Sequence, residues 1–412
     1  MKSVAVIGAG AAGCFCAAEV ARLRPDVAVT VFEAGPKALA KVAVTGGGRC
    51  NFTNSFEGVS RLAEVYPRGE QLMKRALKVF SHQDAMDWLC SQGVEYVIQE
   101  DHCVFPASQD AMQIVRTLEG LMRRRGVSVR LGCKVEELTP VRDGWRVRLS
   151  GGSFAGGSVD GFVAEVFDAV VVTTGGGALG LLDALEVKIE APVPSLFTFK
   201  IDDAPLRSLM GAVVQDAALG LAGTKFRSRG PLLITDWGVS GPATLRLSSY
   251  AARHLSQSGY KGTLLVNWLG EATEASAREF LEACVRENGR KMLSSVHPEG
   301  LSERVWKHII SRCALRDGMR WAELGSKGLS RLASCLVCDT YPISGRCRFK
   351  EEFVTCGGVA LSEVDLNTLE SRRYPGLYFA GEVLDVDALT GGFNLQAAWS
   401  CAIVVARSLA LR

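Results

Sequence analysis

The stretch KVAVTGGGRCNFTN, residues 41–54, places three consecutive glycines directly before Arg49, Cys50 and Asn51. Glycine has no side chain, so a large flat group can lie against the backbone there. Arg49 and Asn51 would anchor polar edges of that group, and the cation beside Cys50 would lower the pKa of its thiol. The pattern predicts a ligand pocket, with a plain surface loop as the alternative. For Cys50, a packed or ligand-adjacent thiol is favoured over a catalytic one.

A nucleotide-binding signature begins the chain. A buried strand, residues 4–7, leads into a G-x-G-x-x-G turn, residues 8–13, and a small-residue helix, residues 12–23. A second strand ends at Glu33, about 20 residues after Gly13, which is the order that a dinucleotide fold requires. The helix N-terminus would bind a pyrophosphate, and Glu33 would accept hydrogen bonds from ribose hydroxyls. An acid at this position favours FAD or NAD over NADP.

The C-terminus carries the counterpart of these glycine turns. A strand, residues 377–380, precedes Gly381 and Glu382, and a loop then reaches Thr390-Gly391-Gly392-Phe393-Asn394 before a final helix, residues 395–411. Glu382 would bind ribityl hydroxyls, and the helix N-terminus would face the flavin pyrimidine edge, where its dipole stabilises negative charge. One long cofactor explains all of these glycine sites together. The sequence therefore predicts FAD.

Composition excludes several classes of protein. The chain has 412 residues, 48% apolar and 22% charged, with a net charge of +3, which indicates a globular protein of two or three domains without the basic bias of a polyanion binder.

Its 13 irregularly spaced cysteines indicate a reducing, cytoplasmic setting. Cys14, Cys16, Cys90 and Cys401 are expected to pack as small core residues. Arg123–Arg125 is interpreted as a solvated helix end. We predict neither export nor a membrane span.

The middle of the chain predicts an inserted domain. A strand, residues 169–173, runs into a second G-x-G-x-x-G, residues 175–180, but no acid follows at the required spacing. This strand end is expected to close over the first nucleotide site rather than to bind NADH. A proline-fixed linker begins at Ala191. We predict an α/β, Rossmann-like, glutathione-reductase-like FAD domain (residues 1–190 and 340–412), a β-rich insertion (191–270) and its helical part (271–339), which would cover the flavin.

Cys335-x-x-Cys338, with Cys347 and Cys356 nearby, invites a zinc or redox interpretation. The second pair is spaced by nine residues and lies on strand-like sequence, so no metal site is predicted. Nothing in the sequence places the first pair beside the flavin.

Four motifs together resemble the BaiN/YhiN-like family of NAD(P)/FAD-dependent oxidoreductases: KVAVTGGGRCNFTN, DWGVSGPATL, VTCGGVALSEVD and GLYFAGEVLDVDALTGGFNLQAAWS. The resemblance implies an FAD domain built from both ends of the chain, and reduction of unsaturated substrates, in one branch a uridine in ribosomal RNA. The chain departs from the family pattern at four places. Its loop ALGLLDALE is short, Asp236-Trp237 stands in place of a histidine, Ala388 in place of a glycine, and Cys103 in place of an arginine.

Motifs and resemblance together give one set of cofactor-binding residues. The predicted set is Gly8, Gly10, Ala11, Ala12, Gly13, Glu33, Ala34, Lys41, Thr45, Gly46, Gly47, Gly48, Arg49, Cys50, Asn51, Val135, Thr174, Gly175, Gly176, Gly381, Glu382, Asp385, Gly391, Gly392, Phe393, Asn394 and Leu395. Cys50, Asp236 and Tyr66 are the candidate proton donors.

The expected activity is hydride transfer through flavin N5, with NAD(P)H as a transient donor and an electron-poor C=C compound as acceptor. The expected partner is a small molecule, with RNA less favoured, and neither a membrane nor a stable protein partner is expected. The alternatives are an amine oxidase that releases peroxide, a dihydrouridine-forming enzyme and a non-catalytic flavin-binding protein.

Overall fold

A computed structural model describes residues 1–151, 163–347 and 354–412. The chain divides into two compact units, one formed by Met1–Val193 with Val354–Arg412 and the other by Pro194–Phe353. The first unit therefore takes residues from both ends of the chain, and the second is an insertion.

The first unit contains these helices and strands: β1 (Ser3–Ile7), α1 (Ala11–Leu23), β2 (Ala28–Phe32), α2 (Ala40–Gly48), β3 (Thr53–Asn54), α3 (Glu70–Val79), α4 (His82–Ser91), β4 (Tyr96–Ile98), β5 (Cys103–Pro106), α5 (Ala111–Arg124), β6 (Ser128–Arg130), β7 (Cys133–Val141), β8 (Gly144–Gly151), β9 (Val163–Phe167), β10 (Ala169–Val172), β11 (Ile189–Ser195, ending at the unit boundary), and, after the insertion, β19 (Val354–Val359), β20 (Leu377–Phe379) and α12 (Phe393–Ala410).

A five-stranded parallel sheet organises this unit, in the order β20-β10-β1-β2-β6. The central strands are continuous apolar runs, as strands covered on both faces require, and Val4–Val6 and Val170–Val172 are fully buried. The carboxyl ends of β1, β10 and β20 meet at one edge, where open α/β sheets bind ligands. Pairing of β10 with β1 brings the end of β10 beside the first glycine turn.

Helices α1 and α12 pack against each other beside this sheet. Both are rich in alanine and small residues, which allows close approach, and α12 is buried along most of its length. The chain's last helix is thereby fixed against its first. Smaller antiparallel sheets β3-β5-β4 and β7-β8-β9 complete the unit.

The second unit contains these helices and strands: β12 (Phe199–Lys200), α6 (Ala204–Arg207), β13 (Val213–Leu221), β14 (Arg227–Thr235), β15 (Gly238–Ser240), α7 (Pro242–Tyr250), α8 (Ala252–Gln257), β16 (Gly262–Asn267), α9 (Glu274–Asn288), α10 (Glu303–Arg312), α11 (Gly325–Cys338), β17 (Asp339–Ile343) and β18 (Gly345–Arg346). They share one apolar core. The strands form a seven-stranded sheet, in the order β17-β16-β13-β14-β15-β12-β18.

Three sequence-based expectations differ from the structure. The return to the first unit, expected at residue 340, lies later, because β17 and β18 pair within the second unit's sheet. Cys90 is exposed rather than packed in the core, since it lies on the outer face of α4. The third arginine of the 123–125 run is not a solvated helix end: Arg125 donates to Ala18 O and pairs with the buried Glu19 carboxylate at 3.0 Å.

Candidate functional site

The turn after β1 is shaped by close backbone packing. Gly8 has φ +101°, and a Cβ placed there would lie 2.7 Å from Thr173 O. A Cβ on Gly13 would lie only 2.0 Å from Gly8 O. A Cβ on Gly10, in contrast, meets nothing within 4 Å. Two of these glycines are therefore required by the protein's own packing, whereas Gly10 leaves space beside the backbone.

Two helices begin at this edge with free backbone donors. The N-caps of α1 and α12 are Gly10 and Gly392, and neither helix has a side-chain cap. In the same unit, α4 and α5 are capped by Ser81 and Asp110. Uncapped helix N-termini present N–H groups and a positive dipole end to an anion. Both predicted helix N-termini can accept a phosphate or a negatively charged ring edge.

Two carboxylates flank the turn. Glu33 accepts hydrogen bonds from Ala9 N at 2.8 Å and Gly35 N at 2.7 Å, which fixes its side chain at the end of β2. Glu382 accepts from Thr355 N at 2.6 Å, and Lys41 Nζ lies 3.9 Å from its Oε2. Burial raises the pKa of Glu382, an effect that Lys41 opposes. Both carboxylates keep lone pairs for ligand hydroxyls.

The glycine segments that the sequence separates lie together. A Cβ on Gly175 would be 3.5 Å from Glu382 Oε2, and one on Gly381 would be 2.9 Å from Ala12 Cβ. The backbone N–H of Leu39 donates to Ala9 O at 2.7 Å. The first turn thus contacts the segments that follow β2, β10 and β20.

Residues 45–51 form an irregular end to α2. Thr45, Gly46 and Gly47 leave helical geometry, and Gly47 and Gly48 have φ of +69° and +82° with nothing within 4 Å of an added Cβ. A Cβ on Gly46 would approach Asn51 N at 2.8 Å. The loop therefore turns back on itself and exposes bare backbone on one side.

The C-terminal segment is held by polar side chains from residues 51–68. In its satisfied orientation the Asn51 amide donates to Thr53 O at 3.0 Å and accepts from Gly392 N at 3.2 Å. Asn54 Nδ2 donates to Gly391 O at 3.0 Å. The Asn394 side chain accepts a hydrogen bond from the N–H of Ala388 and donates one to the carbonyl of Ala388. These contacts fix the glycine pair before α12.

A buried ion pair adds to this anchoring. The Arg68 guanidinium forms a two-point bond to the Asp387 carboxylate, whose side chain is 0% exposed. Such pairs are geometrically specific as well as strong. The loop before α12 is therefore tied to the segment that follows β3.

The candidate proton donors of the first unit are both fully buried. Burial raises the pKa of Cys50 to about 12, so the lowering expected from Arg49 is wrong. The guanidinium of Arg49 lies instead over the Phe105 ring, at 4.4 Å. Burial raises the pKa of Tyr66 well above its usual value, and its hydroxyl donates to Phe393 O at 2.9 Å. The Tyr66 hydroxyl therefore holds the first residue of α12, and the Cys50 thiol is buried just after the glycine loop.

Four of the remaining predicted residues lie on other elements or at element ends. Asp236 is exposed in the β14–β15 turn of the second unit. Ala34 is exposed after β2, Val135 is buried in β7, and Leu395 is half-buried in the first turn of α12.

Sequence reasoning missed several residues that build the site. Thr173 Oγ1 donates to Ile7 O and Gly8 O at 2.9 Å, which joins β10 to the first turn. Thr53 Oγ1 donates to Gln396 Oε1 at 2.5 Å. The repeated threonine in TTGGG and the polar NFTN segment were signals available in the sequence. The Arg68–Asp387 pair had no local signal.

The residues present fit a long dinucleotide cofactor. The open space at Gly10, the bare backbone at Gly47 and Gly48, and the two uncapped helices provide an anion site and room for a flat group. No group of three or more potential metal ligands occurs within residues 1–151, 163–347 and 354–412. In these same ranges, no helix combines the length and hydropathy needed to cross a bilayer.

Comparison with known proteins identifies the chain's relatives. The profile of the HI0933-like protein Rossmann domain matches residues 2–408. A 3-dehydro-bile acid delta(4,6)-reductase of Clostridium scindens is 27% identical, with 100% of both chains covered. A ribosomal RNA dihydrouridine synthase of Haemophilus influenzae is 28% identical over 98% of this chain and 97% of the relative.

A solved structure supports the fold. The 3-ketosteroid delta1-dehydrogenase from Sterolibacterium denitrificans aligns over 100% of both chains with a TM-score of 0.50 and 12% identity. At this identity the similarity concerns architecture alone.

Proposed function

The chain belongs to the HI0933-like Rossmann-domain family of oxidoreductases, and we propose that it uses FAD and NAD(P)H to reduce a carbon–carbon double bond conjugated to a carbonyl group. The observation that carries the proposal is the convergence of the glycine turns in the first unit. The turns at Gly8–Gly13 and Gly175 lie against Gly381 and Glu382, and Asn51 binds Gly392.

The names of the two curated relatives support the acceptor class. A 3-dehydro-bile acid delta(4,6)-reductase saturates double bonds conjugated to a ketone. A dihydrouridine synthase saturates the uracil double bond, which is conjugated to a ring carbonyl. The two substrates differ greatly in size, yet the reacting group is the same. We therefore propose the conjugated alkene, rather than either whole substrate, as the feature to test.

The chain's own residues would hold the cofactor at defined points. The N–H groups at the start of α1 would bind the pyrophosphate, and Glu33 would bind the ribose of the adenosine. Glu382 would bind ribityl hydroxyls beside Lys41. The loop at residues 45–51 and the Gly391–Gly392 pair would lie against the ring. FAD, when bound, supplies reversible two-electron chemistry that the side chains alone do not.

The proton that completes the reduction has three candidate donors, Cys50, Tyr66 and Asp236. Burial raises the pKa of Cys50 to about 12, and the Tyr66 hydroxyl donates to Phe393 O. Asp236 is exposed to solvent in the second unit. We expect Asp236→Asn to slow acceptor reduction without changing flavin reduction by NAD(P)H, if Asp236 delivers the proton.

A second candidate function is reduction of a uridine in ribosomal RNA, which the name of the Haemophilus relative favours. Two arginines of the second unit that could contact an RNA backbone are engaged within the protein: Arg229 pairs with Asp216 and Glu271, and Arg227 donates to backbone carbonyls. Loss of dihydrouridine from ribosomal RNA in a deletion strain, restored by the gene, would establish this function.

Anaerobic mixing tests the donor and acceptor separately. FAD-loaded protein is mixed with NADH or NADPH, and the loss of visible flavin absorbance is followed. A conjugated enone is then added, and a matched non-conjugated alkene is the control. We expect bleaching by one nucleotide and recovery with the enone alone. A flavin that neither nucleotide bleaches would exclude this donor class, and peroxide release with small amines would favour an amine oxidase.

A further inference from the structure

Cys335 has a different partner from the one its sequence motif indicates. The motif pairs it with Cys338, but Cys338 is exposed. In the second unit the Cys335 thiol instead lies beside the thiol of Cys313, and each shifts the pKa of the other. These two cysteines are 22 positions apart in the sequence, so no short motif joins them.

The secondary structure brings the two thiols together. Cys313 is the C-terminal cap of α10, and Cys335 lies in the last turn of α11. Cys313 Sγ is 3.6 Å from Arg331 O. Since Arg331 precedes Cys335 by one helical turn, residues 331 and 335 lie on the same face of α11. The face of α11 that carries Cys335 therefore covers Cys313.

Charge and exposure distinguish this pair from the fully buried Cys50 and Cys401. The neighbouring Cys335 lowers the pKa of Cys313, with smaller contributions from Arg331 and Arg312, whereas desolvation and Asp339 oppose them. Cys313 in turn raises the pKa of Cys335. Cys335 is half-buried, so solvent reaches the pair, while burial raises the pKa of Cys50 to about 12 and of Cys401 to about 11.

We propose that Cys313 and Cys335 form an oxidisable dithiol site that reacts with hydrogen peroxide and closes to a disulfide. The Cys313 thiolate attacks one peroxide oxygen, an S–O bond forms, the O–O bond breaks, and the leaving hydroxide takes up a proton to become water. The Cys335 sulfur then attacks the sulfenic sulfur, and a second water leaves with the Cys335 proton. The two sulfurs together lose two electrons to the peroxide.

The disulfide would join α10 to α11 beside a buried polar network. Arg312, next to Cys313, donates to Asp339 Oδ1 at 2.8 Å, and Tyr341 donates to Asp339 Oδ2 at 2.6 Å. The site depends on the second unit's own residues and not on the proposed function, so it stands or falls independently of flavin binding.

Peptide mapping after hydrogen peroxide treatment tests the site. The reduced full-length protein is exposed to peroxide, its remaining thiols are alkylated, and it is digested with trypsin without reduction. Cleavage after arginine yields one peptide of residues 313–316 and another of residues 332–346. We expect these two peptides to appear joined, with the loss of two hydrogens, before the exposed Cys90 is modified.

Three variants assign the link to its cysteines. The joined peptide should persist in Cys338→Ser, the matched control, and disappear in Cys313→Ser and Cys335→Ser. In Cys335→Ser, a sulfenic-acid trap should label Cys313. Because Cys338 lies in the same tryptic peptide as Cys335, fragmentation of the joined wild-type peptide in the mass spectrometer identifies which of the two is bonded, so a variant that fails to fold leaves the test intact. A disulfide between Cys335 and Cys338, or modification of Cys90 with residues 313 and 335 still reduced, would overturn the proposal.

Discussion

The first and last glycine segments of the proposed cofactor site are held in different ways. The turn at Gly8–Gly13 is fixed by backbone packing, with Gly13 against Gly8 O and Gly8 against Thr173 O. The segment at Asp385–Asn394 is fixed by side chains, chiefly the Arg68–Asp387 pair and the bonds from Tyr66 and Asn51. One segment needs the absence of side chains, and the other needs particular side chains from distant residues.

Because the two segments are held in different ways, substitutions in them change the free energy of unfolding and the affinity for FAD to different extents. A substitution in the first turn acts through steric overlap, and its effect depends on which glycine is changed. A substitution around the last segment acts through lost hydrogen bonds or an unpaired charge. Four variants test this comparison. Their expected effects on the free energy of unfolding decrease in the order Gly13→Ala, Asp387→Asn, Tyr66→Phe and Gly10→Ala.

Gly13→Ala is expected to have the largest effect. Its Cβ would lie 2.0 Å from Gly8 O, and neither backbone can move without disturbing β1 and α1. We expect a loss of more than about 5 kcal/mol in the free energy of unfolding, measured by denaturant unfolding. A well-folded Gly13→Ala protein that binds FAD would contradict the packing account of this turn.

Breaking the Arg68–Asp387 pair is expected to have the second-largest effect. Asp387→Asn leaves the Arg68 charge without its buried partner, at a cost of about 3–5 kcal/mol. The double variant Arg68→Met with Asp387→Asn should lose less than the sum of the two single variants, as a double-mutant cycle measures. Glu70→Gln, which removes an exposed pair with Lys74, is the control and should change stability by less than about 1 kcal/mol. Additive single effects would show that the pair is not coupled.

Tyr66→Phe is expected to have a smaller effect. It removes the bond to Phe393 O and leaves that carbonyl without its hydroxyl donor, which costs about 1 kcal/mol. Tyr374→Phe is the matched control, because the Tyr374 hydroxyl donates to Leu185 O at 2.7 Å in the same unit. Both variants should lose similar stability by thermal unfolding, but only Tyr66→Phe should weaken FAD binding. Equal FAD affinity of the two variants would show that the Tyr66 hydroxyl does not contribute to the cofactor site.

Gly10→Ala should leave stability almost unchanged and still weaken cofactor binding. Gly10 has φ −84° and open space around its missing Cβ, so alanine fits the folded chain within about 0.5 kcal/mol. The added methyl would occupy the space left for the pyrophosphate, and we expect the Kd for FAD to rise roughly tenfold, or by about 1.4 kcal/mol. Unchanged FAD affinity, measured by fluorescence titration, would show that the pyrophosphate lies elsewhere.

The sequence predicted the parts of the fold that depend on local signals. The β1–α1–β2 order, the glycine turn and the final helix followed from hydrophobic periodicity and glycine spacing. The helix α1 was expected at residues 12–23 and occurs at Ala11–Leu23. The end of the strand at residues 169–173 was expected over the first nucleotide site, and β10 does pair with β1.

Long-range and burial-dependent features escaped prediction. The Arg68–Asp387 pair joins residues separated by 319 positions, and no local pattern reports such a distance. The pKa of Cys50 was expected to fall because Arg49 is its neighbour in sequence. Its side chain is buried instead, which disfavours the charged thiolate and raises the pKa, and the Arg49 guanidinium lies over the Phe105 ring.

Reconstitution with FAD tests the central claim most directly. The purified chain is freed of bound small molecules, incubated with FAD, separated from excess cofactor, and assayed for flavin absorbance per chain, with Gly10→Ala alongside. The account predicts about one FAD retained per chain in the wild type and a weaker complex in the equally stable variant. A folded wild-type protein that stays colourless after incubation would contradict it.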